Sequence, residues 1–263
     1  MKRRDHLIWI LPAVTGAAFL ALWYAARMAS GARSWLIPTP WEILQAAWRE
    51  RAVLARAVES TALGALGGFL GAAVVGFLLA LVLGVSRSLN RSLYPWLLAL
   101  QMTPVIVLAP VIVFWTGPGM TGVILVTFLI SFFPIVVNTT QGLLSAEATM
   151  VDLFRTYGAS RVQELWLLRV PAAMPYFLAG LRIAATLAPV GAIFGQYIVG
   201  GAPTGTGGLG FLVYSYNTRI AIPELFAIAL TSCLLGFIFV AAVSVLNWAV
   251  LHKWHDSFER PDH

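Results

Sequence analysis

Six apolar runs of about twenty residues or more follow one another along this 263-residue chain, and they leave it few ways to fold. They cover about residues 7–28, 61–85, 95–115, 121–142, 174–199 and 223–250. At roughly 1.5 Å of rise per residue, a helix of such length crosses a hydrocarbon layer of about 30 Å. Lipid offers no partner for bare backbone polar groups, so a spanning segment is a helix or part of a closed barrel. Barrel strands would read as stretches of about ten alternating residues; these runs are continuous. Charged residues make up 11% of the chain, too few to cover a soluble surface, which takes about 25%. The sequence therefore predicts an all-α integral membrane protein with six transmembrane helices.

One membrane domain, residues 1–263, accounts for the length, with an N-terminal span at 7–28, a core at 57–250 and a long loop at 147–170. The 7–28 run follows Lys2, Arg3 and Arg4 but exceeds the usual core of a cleaved signal, so it is expected to stay as a first helix. Gly64-x-x-x-Gly68 and Gly67-x-x-x-Gly71 let helix backbones approach closely. Pro104, Pro110, Pro134 and Pro189 interrupt spans, which neighbouring helices or water must compensate. Gln101, Asn138, Gln141 and Gln196 are polar residues in or near spans, candidates for lining a path or for ordinary hydrogen bonds between helices. Asp, Glu and Lys are almost absent from the apolar cores, which disfavours an ion-coupled secondary transporter, the main alternative reading.

The net charge of +6 does not point to nucleic acid, because the basic residues fall in the gaps between apolar runs rather than on one soluble face. Anionic lipid headgroups are the expected neighbours. Lys2–Arg4, Arg87 and Arg91, Arg155, Arg161 and Arg169, and Lys253 and Arg260 fall on one side of a six-span topology, so both termini are expected in the cytoplasm. The opposite 29–60 segment carries Arg33, Arg49, Arg51 and Arg56 beside Glu42, Glu50 and Glu59. Within it, Pro38-Thr39-Pro40 followed by Trp41–Ala57 reads as a turn and a short interfacial helix, with Thr39 or its neighbour as cap and Pro40 in the first turn. Cys233, the single cysteine, excludes an intrachain disulfide.

The longest charged interruption is 147–181. Ala148–Tyr157 is helix-compatible and stops at Gly158. Ser160 and Gln163 form a capping box for a second helix, Arg161–Arg169, expected to end where Pro171 and Pro175 break the run. Two short helices at a glycine elbow make a stiff projection, where a disordered loop would dissipate a partner's motion as entropy.

Tyr157-Gly158-Ala159-Ser160, Val170-Pro171-Ala172-Ala173-Met174-Pro175 and Gly180-Leu181-Arg182 together resemble the cytoplasmic loop of binding-protein-dependent ABC importer permeases, closest to the nitrate, sulfonate, taurine and pyrimidine-precursor branch. Gly158 and Pro171 stand at the glycine and proline of the "EAA…G…P" signature; Asp152-Leu153-Phe154 replaces its usual Glu-Ala-Ala. The resemblance implies a coupling helix between spans four and five that sits in a cleft of a separate ABC ATPase. Asp152, Leu153, Phe154, Arg155, Tyr157, Gly158, Ala159, Ser160 and Pro171 would make or shape that contact, with Val151–Tyr157 as docking surface. It also implies a bacterial inner-membrane location, a second copy of the chain as homodimer partner, and a periplasmic or lipid-anchored solute-binding protein. The chain itself would be no enzyme and hold no cofactor, the ATP being bound by the partner. Sulfonate, taurine, nitrate and vitamin precursors are all open as solutes, with a lean by resemblance toward a pyrimidine precursor or riboflavin-like molecule.

Other motifs carry less. Gly205-Thr206-Gly207-Gly208-Leu209-Gly210 matches GxGxxG, but that motif binds dinucleotides only between a strand and a helix; a flexible outer loop or gate is expected here. No Walker GK[ST] or GxSxG sequence occurs. His252, His255 and Asp256 have a spacing that suits a metal, yet beside Trp248, Lys253 and Trp254 they read as interfacial anchors.

Overall fold

The computed structural model describes residues 5–31, 36–199 and 207–255, all helix and connection. Five of the helices are long and apolar enough to cross a membrane, six when one bent pair counts as a span. The helices are α1 (Asp5–Ala29), α2 (Pro40–Arg49), α3 (Arg51–Val85), α4 (Arg87–Gln101), α5 (Val105–Thr116) and α6 (Met120–Leu144), then α7 (Ala148–Thr156), α8 (Arg161–Glu164), α9 (Val170–Val199), α10 (Leu209–Thr218) and α11 (Ile222–His255). A π turn, Leu165–Arg169, joins α8 to α9.

The bundle is organised around α6, which lies between α3 and α9. Small residues bring the backbones together: a methyl group added at Gly68 would sit 2.4 Å from Thr127 Cβ, and one at Gly191 3.0 Å from Thr127 Cα. Gly64, Gly67 and Gly71 also face α6, and so do Gly180 and Gly195 on α9. Both GxxxG pairs thus serve the same contact. Phe69, Ala72, Val123, Leu181, Ala185 and Ala188 fill the core between these helices. By contrast α1 is peripheral: its apolar window is unburied, and it is tied to the rest at its C-terminal end. There Trp23 Nε1 donates to the Pro38 carbonyl at 2.9 Å, and Arg27 meets Glu42 at 3.1 Å.

Four expectations need correction. The run at 95–115 is not one straight helix: α4 and α5 meet at 94° across Met102-Thr103-Pro104. Pro104 lacks an N–H and disfavours helical backbone in the residue before it, so the ladder breaks there. The short helix after Pro38-Thr39-Pro40 ends at Arg49, and residues 51–57 already belong to α3. Its cap is Thr39 with Pro40 in the first turn, and Glu42 completes a capping box that the sequence reading did not single out. Pro171 does not end the loop's second helix. The π turn relaxes the i→i−4 ladder just where proline has no N–H to donate, with the Val170 N–H bonding the Leu165 carbonyl, and the helix runs on through Pro171 and Pro175. Finally, Leu209–Thr218 forms a helix, α10, where only a loop was expected at the preceding glycines.

Two of the four arginines of the 29–60 segment have local partners: Arg49 lies 3.8 Å from Glu224 and Arg51 stacks over Trp48. Tyr216 donates to Glu50 at 3.0 Å; burial first, and then the Glu50 carboxylate beside it, push its phenol up to about 12, so this bond persists at neutral pH.

Candidate functional site

The α6–α9 connection builds a braced projection at one end of the bundle. Its first helix, α7, is amphipathic. Val151 turns inward at 8% exposed, whereas Met150, Leu153 and Tyr157, spaced for a single helical face, stand out at 45%, 47% and 83%. Val151 is therefore an anchor of this helix rather than part of its outer surface, a correction to the expected Val151–Tyr157 contact face. Asp152 and Arg155 are exposed and Phe154 is half-buried. The chain leaves α7 through Gly158, whose φ of +71° suits glycine and strains any other residue. Ser160 then caps α8, its Oγ accepting from the Gln163 N–H while Gln163 Oε1 accepts from the Ser160 N–H. Ala159 lies half-buried at the turn, and Pro171 half-buried past the π turn.

What holds this projection is Glu164, which sequence reasoning passed over. Its carboxylate, 7% exposed, accepts from Arg169 Nε at 2.7 Å and lies 3.5 Å from Arg155 Nε. Arg169 also donates through Nη1 to the Leu143 carbonyl at 3.1 Å, one of the orphan acceptors at the C-terminus of α6. An unbroken chain of polar contacts thus runs from α7 through Glu164 and Arg169 into the central helix. Beside it, a cavity of about 730 Å³ separates α7 and α8 from the α3–α4 junction, with Ser86, Asp152, Arg155, Arg161 and Arg169 in its wall. The only sequence-level hint of this clamp was an acid flanked by two arginines in a long loop. Its pairing depends on the turn at Gly158, which returns the chain so that Glu164 comes within 3.5 Å of Arg155.

The other polar candidates do not converge. Gln101 is exposed at the α4–α5 bend; Gln141 is exposed and Asn138 half-buried near the end of α6. Asn138 Nδ2 donates to the Pro134 carbonyl at 2.7 Å. Gln196 lies at the opposite end of α9, 3% exposed. There it anchors α10: Gln196 Oε1 accepts from Thr61 Oγ1 at 2.8 Å and from the Gly210 N–H at 3.3 Å, and Thr61 Oγ1 accepts from the Leu209 N–H at 2.9 Å. This explains the glycines of the GxGxxG match that fall within the described residues. A methyl group on Gly210 would meet the Ile193 carbonyl oxygen at 1.9 Å, and one on Gly208 the Gln196 side chain at 2.1 Å. From Gly208 onward the segment is packed against α9 and α3 and is no loose loop; Gly205 and Thr206 of the expected outer loop lie outside the described residues. Gly210→Ala is expected to dislodge α10, read as new proteolytic cleavage near residues 207–218 while Gly236→Ala, whose added methyl meets nothing, leaves the pattern intact. His252 and His255 lie outside the described side chains and Asp256 outside the described residues. Among the described residues no group of three His, Cys, Asp or Glu is placed to hold a metal.

Residues 72–252 match the family model described as the binding-protein-dependent transport system inner membrane component. The chain is 40% identical over 181 residues to the formylaminopyrimidine transport permease protein of Halalkalibacterium halodurans, covering 69% of this chain and 70% of that one. It is 30% identical over 246 residues to the riboflavin transport system permease protein of Chloroflexus aurantiacus, covering 93% and 90%. A solved structure of the MetNI methionine ABC transporter in inward-facing conformations has the same fold, with a TM-score of 0.58 at 19% identity over 81% of this chain and 98% of that one.

Proposed function

The chain belongs to the family of binding-protein-dependent transport system inner membrane components, and from that premise we propose that α7 is its coupling helix, clamped to the transport pathway through Arg155, Glu164 and Arg169. The protein is the membrane permease subunit of an ABC importer. It catalyses no reaction: a separate ATPase subunit hydrolyses ATP, and a solute-binding protein delivers the cargo.

The observation that carries the coupling proposal is an outward apolar stripe, Met150, Leu153 and Tyr157, on a short helix whose Arg155 also reaches to within 3.5 Å of the buried Glu164. The stripe suits an apolar cleft on the ATPase, with Asp152 and Arg155 as polar contacts and Gly158, Ala159 and Ser160 shaping the turn behind it. The clamp passes displacement of α7 to α6, and α6 is packed on both α3 and α9. Each partner then stabilises one of two conformations of the bundle, which is what converts ATP binding into alternating access. In this reading the α7 end is cytoplasmic, with both termini on that side, and the whole of residues 1–263 is one transmembrane domain. Two copies form the pathway, lipid headgroups meet the basic ends, and Gln101, Asn138 and Gln141 are its candidate polar lining. Gln196 is left out of that lining because its side chain is committed to α10.

Replacing Gly158 with proline tests the docking directly, because proline cannot adopt a φ near +70°. The expected result is loss of ATPase co-purification or of solute-stimulated hydrolysis, with the spans still inserted. Unchanged coupling contradicts the assignment of α7.

The solute we propose is a pyrimidine precursor or a related vitamin-like heterocycle, supported by the 40% identity to a formylaminopyrimidine permease. Titration calorimetry of the binding protein encoded beside this permease checks it. Saturable heat is expected with a formylaminopyrimidine or with riboflavin; heat only with taurine or nitrate moves the assignment to the anion branch.

A further inference from the structure

Arg182 is the one Lys, Arg, Asp or Glu in the interior of any span; Arg27 stands at the end of the first. Its depth follows from helix contacts. Ala173 packs on Gly142, near the end of α6, and Gly180 packs on the Pro134 carbonyl and Ile135, toward the middle of α6. Nine residues separate Ala173 from Arg182, about 14 Å along the helix and roughly half of the hydrocarbon thickness. A reading in which this arginine merely snorkels from the membrane surface does not suit that depth.

Its direction follows from the faces of α9. Gly180, Gly191 and Gly195 turn to α6, and Leu178, Leu181, Ala184, Ala185 and Ala188 are buried in the core. Ala179, Arg182, Ile183, Thr186 and Val190 form the exposed stripe, at the spacing of one helical face. Among the described residues Arg182 has no ion pair. A second copy cannot supply one at this depth, since no Asp or Glu lies between residues 60 and 146, 165 and 223 or 225 and 255. A guanidinium left in hydrocarbon without a counter-charge is costly, and such groups face water or a path.

We propose that the Ala179–Arg182–Thr186 stripe lines the water-filled transport path, and that Arg182 gives this path a positive field at mid-membrane. The deduction rests on the permease reading and deepens it. It sets a substrate class: solutes without net positive charge that offer oxygen or ring-nitrogen acceptors to a guanidinium, which has five donors and a face that stacks on planar rings. Cationic solutes are repelled at the same point.

The test uses the full transporter with its ATPase in lipid nanodiscs and a Cys233→Ser background, which removes the native thiol. Thr186→Cys, one helical turn from Arg182, is reacted with a negatively charged sulfonatoethyl methanethiosulfonate and a positively charged trimethylammonioethyl one. Both are expected to react far faster than at Leu22→Cys on the lipid-exposed face of α1. The anionic-to-cationic rate ratio is expected to fall on the order of tenfold when Arg182→Gln is added, the size of effect a unit charge exerts across a helical turn in a wet site. If Thr186→Cys is as unreactive as Leu22→Cys, the stripe faces lipid or protein and the proposal fails. If it reacts but the ratio ignores Arg182→Gln, the path is wet and the arginine does not set its field, which overturns the substrate class. ATPase co-purification of the same samples separates both failures from a failure of the permease reading.

Discussion

Glu164→Ala is expected to cut solute uptake by at least about tenfold, while the ATPase still co-purifies with the membrane subunit. The carboxylate bridges Arg155 on α7 and Arg169, which in turn holds the Leu143 carbonyl at the end of α6. Removing it leaves Arg169, itself 15% exposed, without its counter-charge. Breaking a buried pair from one side costs roughly 3–5 kcal/mol, and only about 1.4 kcal/mol of lost coupling is needed for a tenfold effect. The apolar stripe of α7 is untouched, so docking survives where transmission does not. Glu164→Gln keeps acceptor geometry without charge and is expected to fall between wild type and alanine. Asp152→Asn is the control, because the Asp152–Arg155 contact is 4.0 Å and solvent-exposed, a type of pair worth little. Uptake and hydrolysis measured together in proteoliposomes decide it: full stimulated uptake in Glu164→Ala removes the clamp from the mechanism.

Gly68→Val is expected to prevent stable assembly of the bundle, where Gly236→Ala does the opposite. At Gly68 even the first added carbon lies 2.4 Å from Thr127 Cβ and 2.8 Å from the Ile124 carbonyl oxygen. Backbone cannot rotate out of the way as a side chain can, so α3 and α6 must separate. That loses the contacts of Gly64, Gly67 and Gly71 with the same helix. Overpacking of this kind costs about 1–3 kcal/mol, and more where neighbours are backbone. At Gly236 an added methyl meets nothing within 4 Å, and alanine is the better helix former by about 1 kcal/mol. Thermal unfolding in detergent, followed by circular dichroism, is expected to show a lower and broader transition for Gly68→Val and an equal or higher one for Gly236→Ala. Equal behaviour of the two variants contradicts α6 as the packing centre.

Five of the six spans and their rough limits were legible because lipid imposes one rule on every residue alike: backbone polar groups must be satisfied within the segment, and only length and apolarity are needed to satisfy it. The glycine pairs, a cap near Thr39, the capping box at Ser160 and the elbow at Gly158 were legible for a related reason, each being a local requirement of backbone geometry. The passage of the helix through Pro171 was not, since the π turn that permits it rests against α6, where Arg169 meets the Leu143 carbonyl. Nor was the bend at Pro104, where neighbouring helices decide whether a proline kinks a span or folds it by 94°.

The same division runs through the site. By itself the sequence determined that a charged, glycine-hinged projection interrupts an otherwise apolar chain, since this depends only on residue order. Tertiary structure alone decided which acid holds the projection, that Gln196 caps α10 instead of facing the path, and which stripe of α9 stays open. Those outcomes arise from contacts between residues distant in the chain, such as Thr61 with Gln196 and Arg169 with Leu143. Such contacts exist only after the helices have packed, and a linear order of residues carries no record of their distance.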